Sequence, residues 1–466
     1  MQRDSKRGLL RMTDAVAVFG LGKVGLTLAA CLAKSGHRVI GVDVQPTHVD
    51  AINERTVQIS EFGVMERIAA VSREQLAATT DPVVAVRDTD VSFVVVPTPS
   101  NTLGGFSNRF ALKACREIGA ALRTSKRAHT VAMVSTILPG TSDSRFIPLL
   151  EQASGRKIGD GLGYCYNPAF IALGEVVKGF EQPDYLLVGE SDVRSGNIII
   201  DIHNKMIRNN VPLARMSSIE AEITKIASNT HETMRVSFAN MLLSVCAEVP
   251  GANVDRITSA LAHRMGRRFF KGAVPYGGPC WPRDNLALSV FMDMIGAPSQ
   301  LPRTVDMSNS EHGRYVLRKI LDVARAGCKV GVIGLAYKPG TNVIERSYSI
   351  DLVGWLLAEG REVLVWDPQA MEGSRKIVGK DVIFCPDAES CLARSNVAVI
   401  TLPLPQLPSI DWSQAKNATV VDCWRVLPVT AQQAVGRYVP LGIGRDEDKS
   451  RWIDRIGANR FDLLTN

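Results

Sequence analysis

The sequence contains few aromatic residues and no concentrated run of basic ones. Aromatic side chains account for 6% of the 466 residues, and the formal net charge is +7. This charge is modest for the length, and an anionic substrate explains it about as well as a nucleic acid does. The sequence therefore predicts no nucleic-acid partner.

Long apolar runs and cysteine patterns are also absent. No stretch approaches the roughly 20 apolar residues of a membrane-spanning helix, and the first twelve residues lack the apolar centre of a signal peptide. The nine cysteines show neither disulfide nor metal-ligand spacing, and an odd number without a framework fits a reducing compartment. We expect a soluble, cytoplasmic protein with no membrane contact and no bound metal.

Strand and helix patterns alternate from Ala15 onward, as is typical of an α/β fold. The first elements of this alternation are a strand at Ala15–Phe19, a helix at Val24–Lys34 and a strand at Arg38–Val42. Further buried strands are predicted at Val91–Val96, Val131–Ser135 and Tyr185–Val188. This rhythm predicts a parallel, doubly wound sheet.

A different pattern begins near Ser217. Ser217 and Glu220 have the spacing of a capping box, which predicts the start of a long helix that ends at Pro250-Gly251. A second α/β alternation follows Glu311. Its predicted elements are strands at Lys329–Ile333, Glu362–Trp366, Val397–Leu402 and Thr419–Val421 and a helix at Ser349–Glu359.

Together these patterns predict an α/β protein with two Rossmann-like, doubly wound domains, joined by a long central helix and a helical middle domain. The chain length fits two or three domains. The predicted divisions are an extension at 1–12, a first domain at 13–210, a middle domain at 211–310, a second α/β domain at 311–445 and a tail at 446–466.

A dinucleotide-binding fingerprint lies between the first predicted strand and helix. Its residues are Gly20, Gly22, Lys23, Val24 and Gly25. The glycines let the chain turn tightly towards a pyrophosphate, although glycine at such a turn also serves structure alone. Asp43, about twenty residues further on, is placed to accept from ribose hydroxyls and to repel a 2′-phosphate. The combination of strand, helix and carboxylate predicts NAD as the cofactor.

The segment Tyr276–Asp284 places a cysteine on a Gly-Gly-Pro turn. Asp284 follows Cys280 by four residues, so that a thiol could be held against a carboxylate. A nicotinamide moves hydrides and a thiol captures aldehydes, which suggests oxidation of an alcohol past the aldehyde to the acid. The alternatives are that Cys280 is a small buried apolar residue and that Asp284 caps a helix.

Other polar residues are candidates on position alone. Lys225 and Asn229 lie four apart in the predicted central helix, where they share one face and could stabilise an oxyanion, although a solvated face is the alternative. Thr136 follows a predicted strand, at the end where an open α/β sheet places ligand groups. His231 and His263 lack metal-ligand spacing, so we interpret them as surface or packing residues.

Several of these segments follow one another in an order shared with a known family. They are Gly20–Gly25, Pro97-Thr98-Pro99, Ser135–Thr141, Lys225 with Asn229, Gly277–Asp284 and Gly334–Pro339. The chain resembles the UDP-glucose/GDP-mannose dehydrogenase family, the nucleotide-sugar 6-dehydrogenases, from about Ala15 to Val421. The resemblance implies NAD in the first domain, a nucleotide sugar held partly by the second, and a homodimer or higher homo-oligomer. The implied reaction is a four-electron oxidation of the C6 primary alcohol to the uronic acid.

The resemblance also implies roles for single residues. Cys280 is similar to the family nucleophile, which forms a thiohemiacetal and then a thioester that water hydrolyses. Lys225 and Asn229 correspond to the groups that stabilise the oxyanions, and Asp284 and Thr136 to partners of a proton-relaying water. Implied cofactor contacts include Pro97, Thr98 and Thr136, and implied substrate contacts are Phe170, Lys225, Asn229, Arg264, Tyr276, Gly277 and Lys338.

Two segments depart from the family pattern. The family has Pro-Glu-Phe-Leu and then a second Glu, whereas this chain has Ala169 and Leu173 at those positions, with Glu175 shifted. Ala169 cannot act as a base, so thioester hydrolysis is expected to be slow or to rely on Asp284 and water. In the second segment, Glu345-Arg346 exchanges the family's base and acid, which is expected to alter the sugar-phosphate contacts.

Two other functions stay open at this point. A two-electron dehydrogenase of the hydroxyacid or 6-phosphogluconate type shares the architecture and a helical Lys/Asn pair, but stopping at a carbonyl needs no thiol. A nucleotide-sugar binding protein without turnover is supported only by Ala169 and the altered Glu345-Arg346 pair. The base and the sugar are also open, because UDP-glucose, UDP-N-acetylhexosamines and GDP-mannose fit the sequence equally.

Overall fold

The computed structural model describes residues 15–445, 449–450 and 452. The predicted extension at 1–12 and most of the predicted tail at 446–466 lie outside these residues. Contacts divide the chain into two compact units, and the division falls between Ala227 and Ser228.

The strands, labelled in chain order, alternate with helices along most of the described chain. They are β1 (Ala15–Phe19), β2 (Arg38–Val42), β3 (Leu76–Thr79), β4 (Val91–Val94), β5 (His129–Met133), β6 (Lys157–Ile158), β7 (Gly161–Tyr166), β8 (Leu186–Glu190), β9 (Leu213–Met216), β10 (Lys329–Ile333), β11 (Glu362–Trp366), β12 (Val382–Phe384), β13 (Val397–Ile400), β14 (Thr419–Asp422) and β15 (Arg437–Pro440).

The helices are labelled in the same way, and a π-helical turn at Ser142–Phe146 leads into the sixth. They are α1 (Lys23–Lys34), α2 (Pro46–Glu54), α3 (Val64–Ala69), α4 (Pro82–Arg87), α5 (Arg109–Leu122), α6 (Ile147–Ser154), α7 (Val176–Glu181), α8 (Val193–Met206), α9 (Ser218–Glu248), α10 (Val254–Met265), α11 (Trp281–Met294), α12 (Gln300–Leu321), α13 (Tyr348–Ala358), α14 (Met371–Val378), α15 (Ala388–Arg394) and α16 (Val429–Ala434). Within the described ranges, none of them combines the length and apolar character needed to cross a membrane.

The first unit is built on a sheet with the strand order β3-β2-β1-β4-β5-β7-β8-β9, and β6 pairs with β7. β1 pairs in parallel with both β2 and β4. Its alternate residues enter separate apolar clusters, Val16 and Val18 one cluster and Ala17 and Phe19 the other. Because side chains of a strand alternate between faces, both faces of this sheet are covered by apolar core.

The first sheet is not parallel throughout, which differs from the prediction. β8 pairs with β7 in antiparallel fashion, through Cys165 with Glu190 and Tyr166 with Gly189. A parallel neighbour needs a crossover that returns the chain to the end of the sheet where the preceding strand began, whereas an antiparallel neighbour does not. The chain therefore re-enters the sheet from the end at which β7 stops, and β9 then pairs with β8 in parallel.

A side chain, rather than strand pairing, fixes the end of β4. The strand stops at Val94 and not at the predicted Val96. The Ser135 hydroxyl accepts from the Val96 N–H at 3.0 Å and donates to the Val96 carbonyl at 2.7 Å. These bonds replace the ladder, and Pro97, which has no N–H, follows at once. The carboxyl ends of β4 and β5 are therefore tied together.

Helix α9 spans the division between the two units and begins with the predicted capping box. The Glu220 carboxylate accepts from the Ser217 N–H at 2.9 Å, and the Ser217 hydroxyl accepts from the Glu220 N–H at 3.4 Å. The helix contains 31 residues, which corresponds to about 45 Å at the usual rise per residue.

The second unit contains a parallel sheet in the order β12-β11-β10-β13-β14-β15. β10 pairs in parallel with β11 on one side and with β13 on the other. The strands predicted at Lys329–Ile333 and Glu362–Trp366 are observed with the same bounds. The two α/β sheets and the helices α9 to α12 between them in the sequence confirm the predicted fold class.

Candidate active site

The glycine turn after β1 has the geometry that its sequence predicts. Gly20 has a φ of +90°, which an L side chain rarely adopts, and its N–H bonds to the Val42 carbonyl at 2.8 Å. A Cβ atom on Gly25 would overlap the carbonyl oxygen of Gly20. Both glycines are therefore needed for the chain to turn from β1 directly into α1.

The first turn of α1 is open to an anionic ligand. The helix begins at Lys23 and Val24, and Gly22, at the position before it, has no side chain that could make a capping hydrogen bond. Uncapped N–H groups at a helix start bind phosphates well. The observed turn therefore fits the pyrophosphate of a dinucleotide.

Asp43 is fixed at the carboxyl end of β2, beside this turn. One carboxylate oxygen accepts from the Leu21 N–H at 2.9 Å and the other from the Gln45 N–H at 3.0 Å. Each oxygen still has a lone pair for a ribose hydroxyl, because a carboxylate accepts about four hydrogen bonds in all. The orientation of this carboxylate is therefore set by the fold and fits NAD.

Asp367 holds the equivalent place in the second sheet but is used differently. It is 3% exposed, and its carboxylate accepts from the N–H groups of four residues. Those residues are Leu335, Ala336, Gln369 and Ala370, at distances of 2.7 to 3.2 Å. These four bonds occupy the lone pairs of the Asp367 carboxylate, and no helix begins directly after Gly334. The second α/β domain therefore lacks the dinucleotide-binding arrangement of the first.

The loops that follow β4 and β5 bring together two predicted cofactor contacts. The Thr98 hydroxyl donates to the Thr136 carbonyl oxygen at 2.7 Å. Thr98 is buried, Thr136 is half-buried and Pro97 is exposed. The carboxyl ends of neighbouring parallel strands form the ligand-binding edge of such a sheet, and these residues lie on it.

Lys225 lies buried on α9 against an aromatic side chain. It is 7% exposed, and its ammonium lies 4.4 Å from the centre of the Phe170 ring. Phe170 in turn packs on Tyr185, with ring centres 4.7 Å apart. A cation over a ring face is held by the ring's negative potential, so Phe170 orients the ammonium. Lys225 is therefore not part of a solvated face, which was the alternative.

Glu222, one turn before Lys225, was not recognised from the sequence. Its buried carboxylate accepts from the Ser142 N–H at 2.9 Å and from the Gly140 N–H at 2.5 Å. Burial raises the pKa of Glu222, and the bonds to Ser142 and Gly140 oppose that rise. These contacts fix the start of α9 to the segment after β5 that includes Thr136. No spacing in the sequence distinguishes Glu222 from an ordinary helical glutamate.

In the second unit, Asn229 and Asp284 form a buried pair. The Asn229 side-chain amide donates to Asp284 Oδ2 at 2.6 Å, and Arg283 Nε donates to Oδ1 at 2.9 Å. Asn229 is 8% exposed and Asp284 is 1% exposed. The carboxylate is thus held from both sides.

Cys280 is the exposed cysteine of this protein. All nine cysteines lie in the described residues; seven are buried, Cys328 is half-buried and Cys280 is exposed. Cys280 stands immediately before α11, and the Asp284 N–H bonds to its carbonyl at 2.8 Å. Asp284 therefore lies inside the first helical turn and does not cap it. The Arg283 guanidinium interacts electrostatically with Cys280.

The glycines before Cys280 let its turn lie directly on another segment. Gly278 has a φ of +87°, and its N–H bonds to the Glu345 carbonyl at 3.1 Å. A Cβ on Gly277 would overlap the Arg346 carbonyl oxygen, and one on Gly278 would overlap the Tyr337 ring. The Cys280 turn therefore packs against the segment that carries the exchanged acid and base.

The segment with the missing glutamate is apolar in the structure. Ala169 and Leu173 pack against the core of the first unit. Glu175 is exposed, directly precedes α7 and pairs with Lys178 at 3.5 Å. A second carboxylate lies nearby, since Glu61, 4% exposed, accepts from the Gly174 N–H at 2.6 Å. The shifted Glu175 is thus a surface residue.

The other predicted contacts occupy separate places. Arg264 is exposed in the last turn of α10, and Lys338 is half-buried after β10. Tyr276 is 8% exposed, with its hydroxyl donated to Asp306. His231 and His263 are exposed. Across the described residues, no three His, Cys, Asp or Glu side chains gather into a metal-binding group.

Family models match most of the chain. Residues 14–207 match the NAD binding domain of the UDP-glucose/GDP-mannose dehydrogenase family, residues 219–311 its central domain and residues 331–429 its UDP binding domain. NAD is accordingly the cofactor of this chain, in agreement with the turn at Gly20 and the place of Asp43.

Individual relatives agree with this assignment. The UDP-glucose 6-dehydrogenase of Haloferax volcanii is 30% identical over 421 residues, which cover 88% of this chain and 97% of that protein. The GDP-mannose 6-dehydrogenase of Pseudomonas aeruginosa is 33% identical over 76% of this chain and 80% of its own length. A UDP-glucose dehydrogenase structure from Pyrobaculum islandicum aligns with a TM-score of 0.84 and 29% identity, over 93% of this chain and 98% of its own. The chain therefore belongs to the UDP-glucose/GDP-mannose dehydrogenase family.

Proposed function

We propose that this protein is an NAD-dependent nucleotide-sugar 6-dehydrogenase, which oxidises the C6 primary alcohol of a nucleotide sugar by four electrons to the uronic acid. The observation that carries the proposal is the position of Cys280. It is the exposed cysteine among nine, it stands at the start of a helix, and the next turn contains the buried Asp284, which is paired with Asn229 of α9. A reaction that passes through an aldehyde to an acid needs such a nucleophile.

Cys280 performs the covalent chemistry. NAD, held by the Gly20–Gly25 turn and Asp43, supplies the hydride acceptor for both oxidations. The Cys280 thiol adds to the aldehyde carbon, so that a C–S bond forms and the thiol proton passes to the carbonyl oxygen. Loss of a hydride and a proton converts this thiohemiacetal into a thioester. Water then cleaves the C–S bond, which releases the acid and restores the thiol.

Lys225 and Asn229 stabilise the oxygen on which charge develops. They lie four residues apart on α9, so they share one helix face. Phe170 orients the Lys225 ammonium, and Asp284 orients the Asn229 amide. Preorganised donors of this kind stabilise an oxyanion without reorganisation during the reaction. The family resemblance supports a role for Asp284 and Thr136 in proton relay through water.

The number of NADH molecules per sugar separates this function from its rivals. A two-electron hydroxyacid dehydrogenase releases one NADH per substrate, and a binding protein without turnover releases none. The exposed thiol argues against both, because neither function uses it.

The nature of the sugar is a further part of the proposal. We infer a UDP- or GDP-linked sugar, because the family's third domain binds UDP and the named relatives act on UDP-glucose and GDP-mannose. The test is NADH release at 340 nm with UDP-glucose, UDP-N-acetylhexosamines and GDP-mannose, each followed to its endpoint. Two NADH per sugar consumed is expected with one of them. One NADH, or none while NAD still binds, would contradict the proposal.

We also propose a homodimer formed through α9, in the predicted middle domain at 211–310. The apolar side chains of Met234, Phe238, Met241 and Val245 follow one another at intervals of four, three and four, and each is 36 to 52% exposed. This spacing lays them along one helix face. A second copy of α9 offers the same stripe in return, as a two-fold interface requires. Light scattering should give twice the chain mass of 50.6 kDa, and Met241→Asp should give a monomer.

A further inference from the structure

We propose that Asp306, on α12, is a positioning residue for the Cys280 nucleophile, and that it acts by holding Tyr276 and Asn285 on either side of it. The inference rests on the proposed function, because the position of Cys280 matters only if its thiol captures the aldehyde. Neither Asp306 nor Asn285 stood out in the sequence. Both emerge from the hydrogen bonds around the Cys280 turn.

One carboxylate oxygen joins the two ends of this turn. Asp306 Oδ1 accepts from the Tyr276 hydroxyl, four residues before Cys280, and from the Asn285 side-chain amide at 2.9 Å, five residues after it. Tyr276 is 8% exposed and Asn285 is fully buried. Since a bond to a charged acceptor is roughly twice as strong as a neutral one, these are the stronger contacts of the turn.

The backbone before the turn is held by the same helix. Asn309, one helical turn after Asp306, accepts from the Tyr276 N–H at 2.9 Å and donates to the Tyr276 carbonyl at 2.9 Å. The Asn309 side chain thus satisfies both backbone hydrogen-bonding groups of Tyr276, as a neighbouring β-strand would do. Tyr276 is therefore fixed to α12 through both its backbone and its hydroxyl.

The residues after the turn are held by α9 as well. Asn285 Oδ1 accepts from the Thr230 hydroxyl at 2.8 Å, next to the bond between Asn229 and Asp284 at 2.6 Å. Two adjacent residues of α9 therefore bond two adjacent residues of α11. This double contact fixes the register of α11, whose start carries Cys280.

The ring of Tyr276 also contacts the Cys280 turn directly, through Trp281. It meets the Trp281 ring edge to face, with centres 5.9 Å apart. On its other side Trp281 meets Phe269, with centres 5.2 Å apart. Trp281 is the residue after Cys280, so the residue next to the nucleophile is held between the Tyr276 and Phe269 rings.

The polar cluster is costly to bury, which supports a specific role. Burial raises the pKa of Asp306, and the bonds from Asn285 and Tyr276 oppose that rise. Burial, together with the charge of Asp306, also raises the pKa of Tyr276. Apolar residues of similar volume often stabilise a core as well as a buried ionic cluster does. We infer that the contribution of this cluster is to hold the Cys280 turn in one position, rather than to stabilise the core.

A loosened turn has a particular chemical consequence. The first hydride removal does not involve the thiol, whereas capture of the aldehyde needs sulfur and carbon in near-attack contact. A displacement of about 1 Å at such a contact costs roughly a hundredfold in rate. Weakening the clamp should therefore spare the first oxidation and slow the second, so that free aldehyde leaves the enzyme.

The experiment compares Tyr276→Phe and Asp306→Asn with a matched control, Tyr315→Phe. Tyr315 also lies on α12 and donates its hydroxyl to a carboxylate, that of Glu248 at 2.8 Å, away from the Cys280 turn. All variants are assayed with NAD and the sugar identified for the wild type, with a hydrazine present to trap aldehyde. NADH per sugar and the trapped aldehyde are the readouts.

We expect both clamp variants to release fewer than two NADH per sugar, to yield trapped aldehyde and to lose at least ten-fold in the rate of acid formation. The KM for NAD should stay within two-fold of wild type, and Tyr315→Phe should still yield two NADH and no aldehyde. Tyr276→Phe removes a single hydroxyl, so it stays informative if Asp306→Asn does not fold. Two NADH and no aldehyde from Tyr276→Phe would overturn the positioning role. A wild type that itself yields fewer than two NADH would instead contradict the proposed function.

Discussion

The side-chain amide of Asn229 donates to the buried carboxylate of Asp284 over 2.6 Å. The bond crosses from α9 to the first turn of α11, directly after Cys280. Arg283 neutralises the opposite oxygen of the same carboxylate at 2.9 Å. An amide, a carboxylate and a guanidinium thus form one chain beside the thiol. A primary amide has two N–H donors, and the carboxylate engages one of them.

Reversing this pair should separate its structural role from its chemical role. Asn229→Asp would face Asp284 with a second buried carboxylate, and we expect a loss of about 3 kcal/mol in the free energy of unfolding. Adding Asp284→Asn restores an amide–carboxylate bond in the opposite sense, and should recover much of that stability without activity. Urea denaturation and NADH release measure the two effects. Recovery of activity in the double variant would show that the donor does not have to lie on α9.

Removing the thiol should stop acid formation and leave cofactor binding intact. Cys280 is exposed, so Cys280→Ala should change the free energy of unfolding by no more than about 0.5 kcal/mol. NAD should still raise the melting temperature, since the Gly20 turn is unchanged. Cys328→Ala, at a half-buried cysteine away from this turn, serves as the control. Full acid production by Cys280→Ala would exclude the thiol mechanism.

The sequence predicted those parts of the fold that depend on local pattern. The strand at Ala15–Phe19, the turn at Gly20 and the capping box at Ser217 all depend on neighbours within a few residues. The antiparallel β8 could not be predicted, because its direction depends on where the chain returns after β7. Apolar periodicity is the same for a strand of either direction.

The candidate site divides in the same way. Cys280 and its glycines form a contiguous motif, so they were recognisable without a structure. Glu222 and Asp306 are single acidic residues in helices, where most acidic residues face water. Only the packing of distant segments shows that they are buried and hydrogen-bonded.

Asp43 should control both the affinity for the cofactor and the choice between NAD and NADP. Asp43→Asn keeps one acceptor oxygen but loses the charge, so we expect a KM for NAD about ten-fold higher, equivalent to about 1.4 kcal/mol. The preference for NAD over NADP should narrow, because the repulsion of a 2′-phosphate is gone. Asp367→Asn, at the corresponding position of the second sheet, should lower the free energy of unfolding and leave the KM for NAD and the KM for NADP unchanged. An unaltered NAD/NADP ratio in Asp43→Asn would count against the ribose contact.

Buried histidines should make the protein sensitive to acid. Burial lowers the pKa of His203 to about 4 and that of His312 to about 4, against 6.5 for an ordinary histidine. The unfolded chain therefore binds more protons below pH 6.5, so stability is full above that pH and falls as the pH drops towards 4. At pH 5, each of these histidines should lower the free energy of unfolding by about 2 kcal/mol relative to its value well above pH 6.5.

The contribution of His203 can be isolated by substitution. His203→Gln keeps a donor for the Asn167 side chain, which lies 2.7 Å from the ring nitrogen, but cannot titrate. We expect a shallower fall in stability between pH 6.5 and 5, measured by urea denaturation at each pH. His231→Gln, at an exposed histidine, is the matched control substitution. An identical slope in His203→Gln and the wild type would contradict the linkage.

Ala169 should make the thioester on Cys280 long-lived. Its side chain packs against apolar core, and Glu175 nearby is an exposed partner of Lys178. No carboxylate therefore stands at the position where the family has its hydrolytic base. With Asp284 and water alone, hydrolysis should be slower than the second oxidation. An acyl-enzyme of wild-type mass plus the uronyl nucleotide, less water, should then accumulate in the steady state.

Intact-protein mass spectrometry after rapid acid quench measures this species. The adduct should be absent from Cys280→Ala and should map to the peptide that contains Cys280 in the wild type. Ala169→Glu should reduce it several-fold if the protein tolerates the charge, and thermal denaturation checks that tolerance. Ala169→Gln, of nearly the same size but unable to act as a base, is the matched control. If no adduct forms in the wild type at any quench time, hydrolysis is not slow, and another group, with the buried Glu61 beside Gly174 as the first to test, must activate the water.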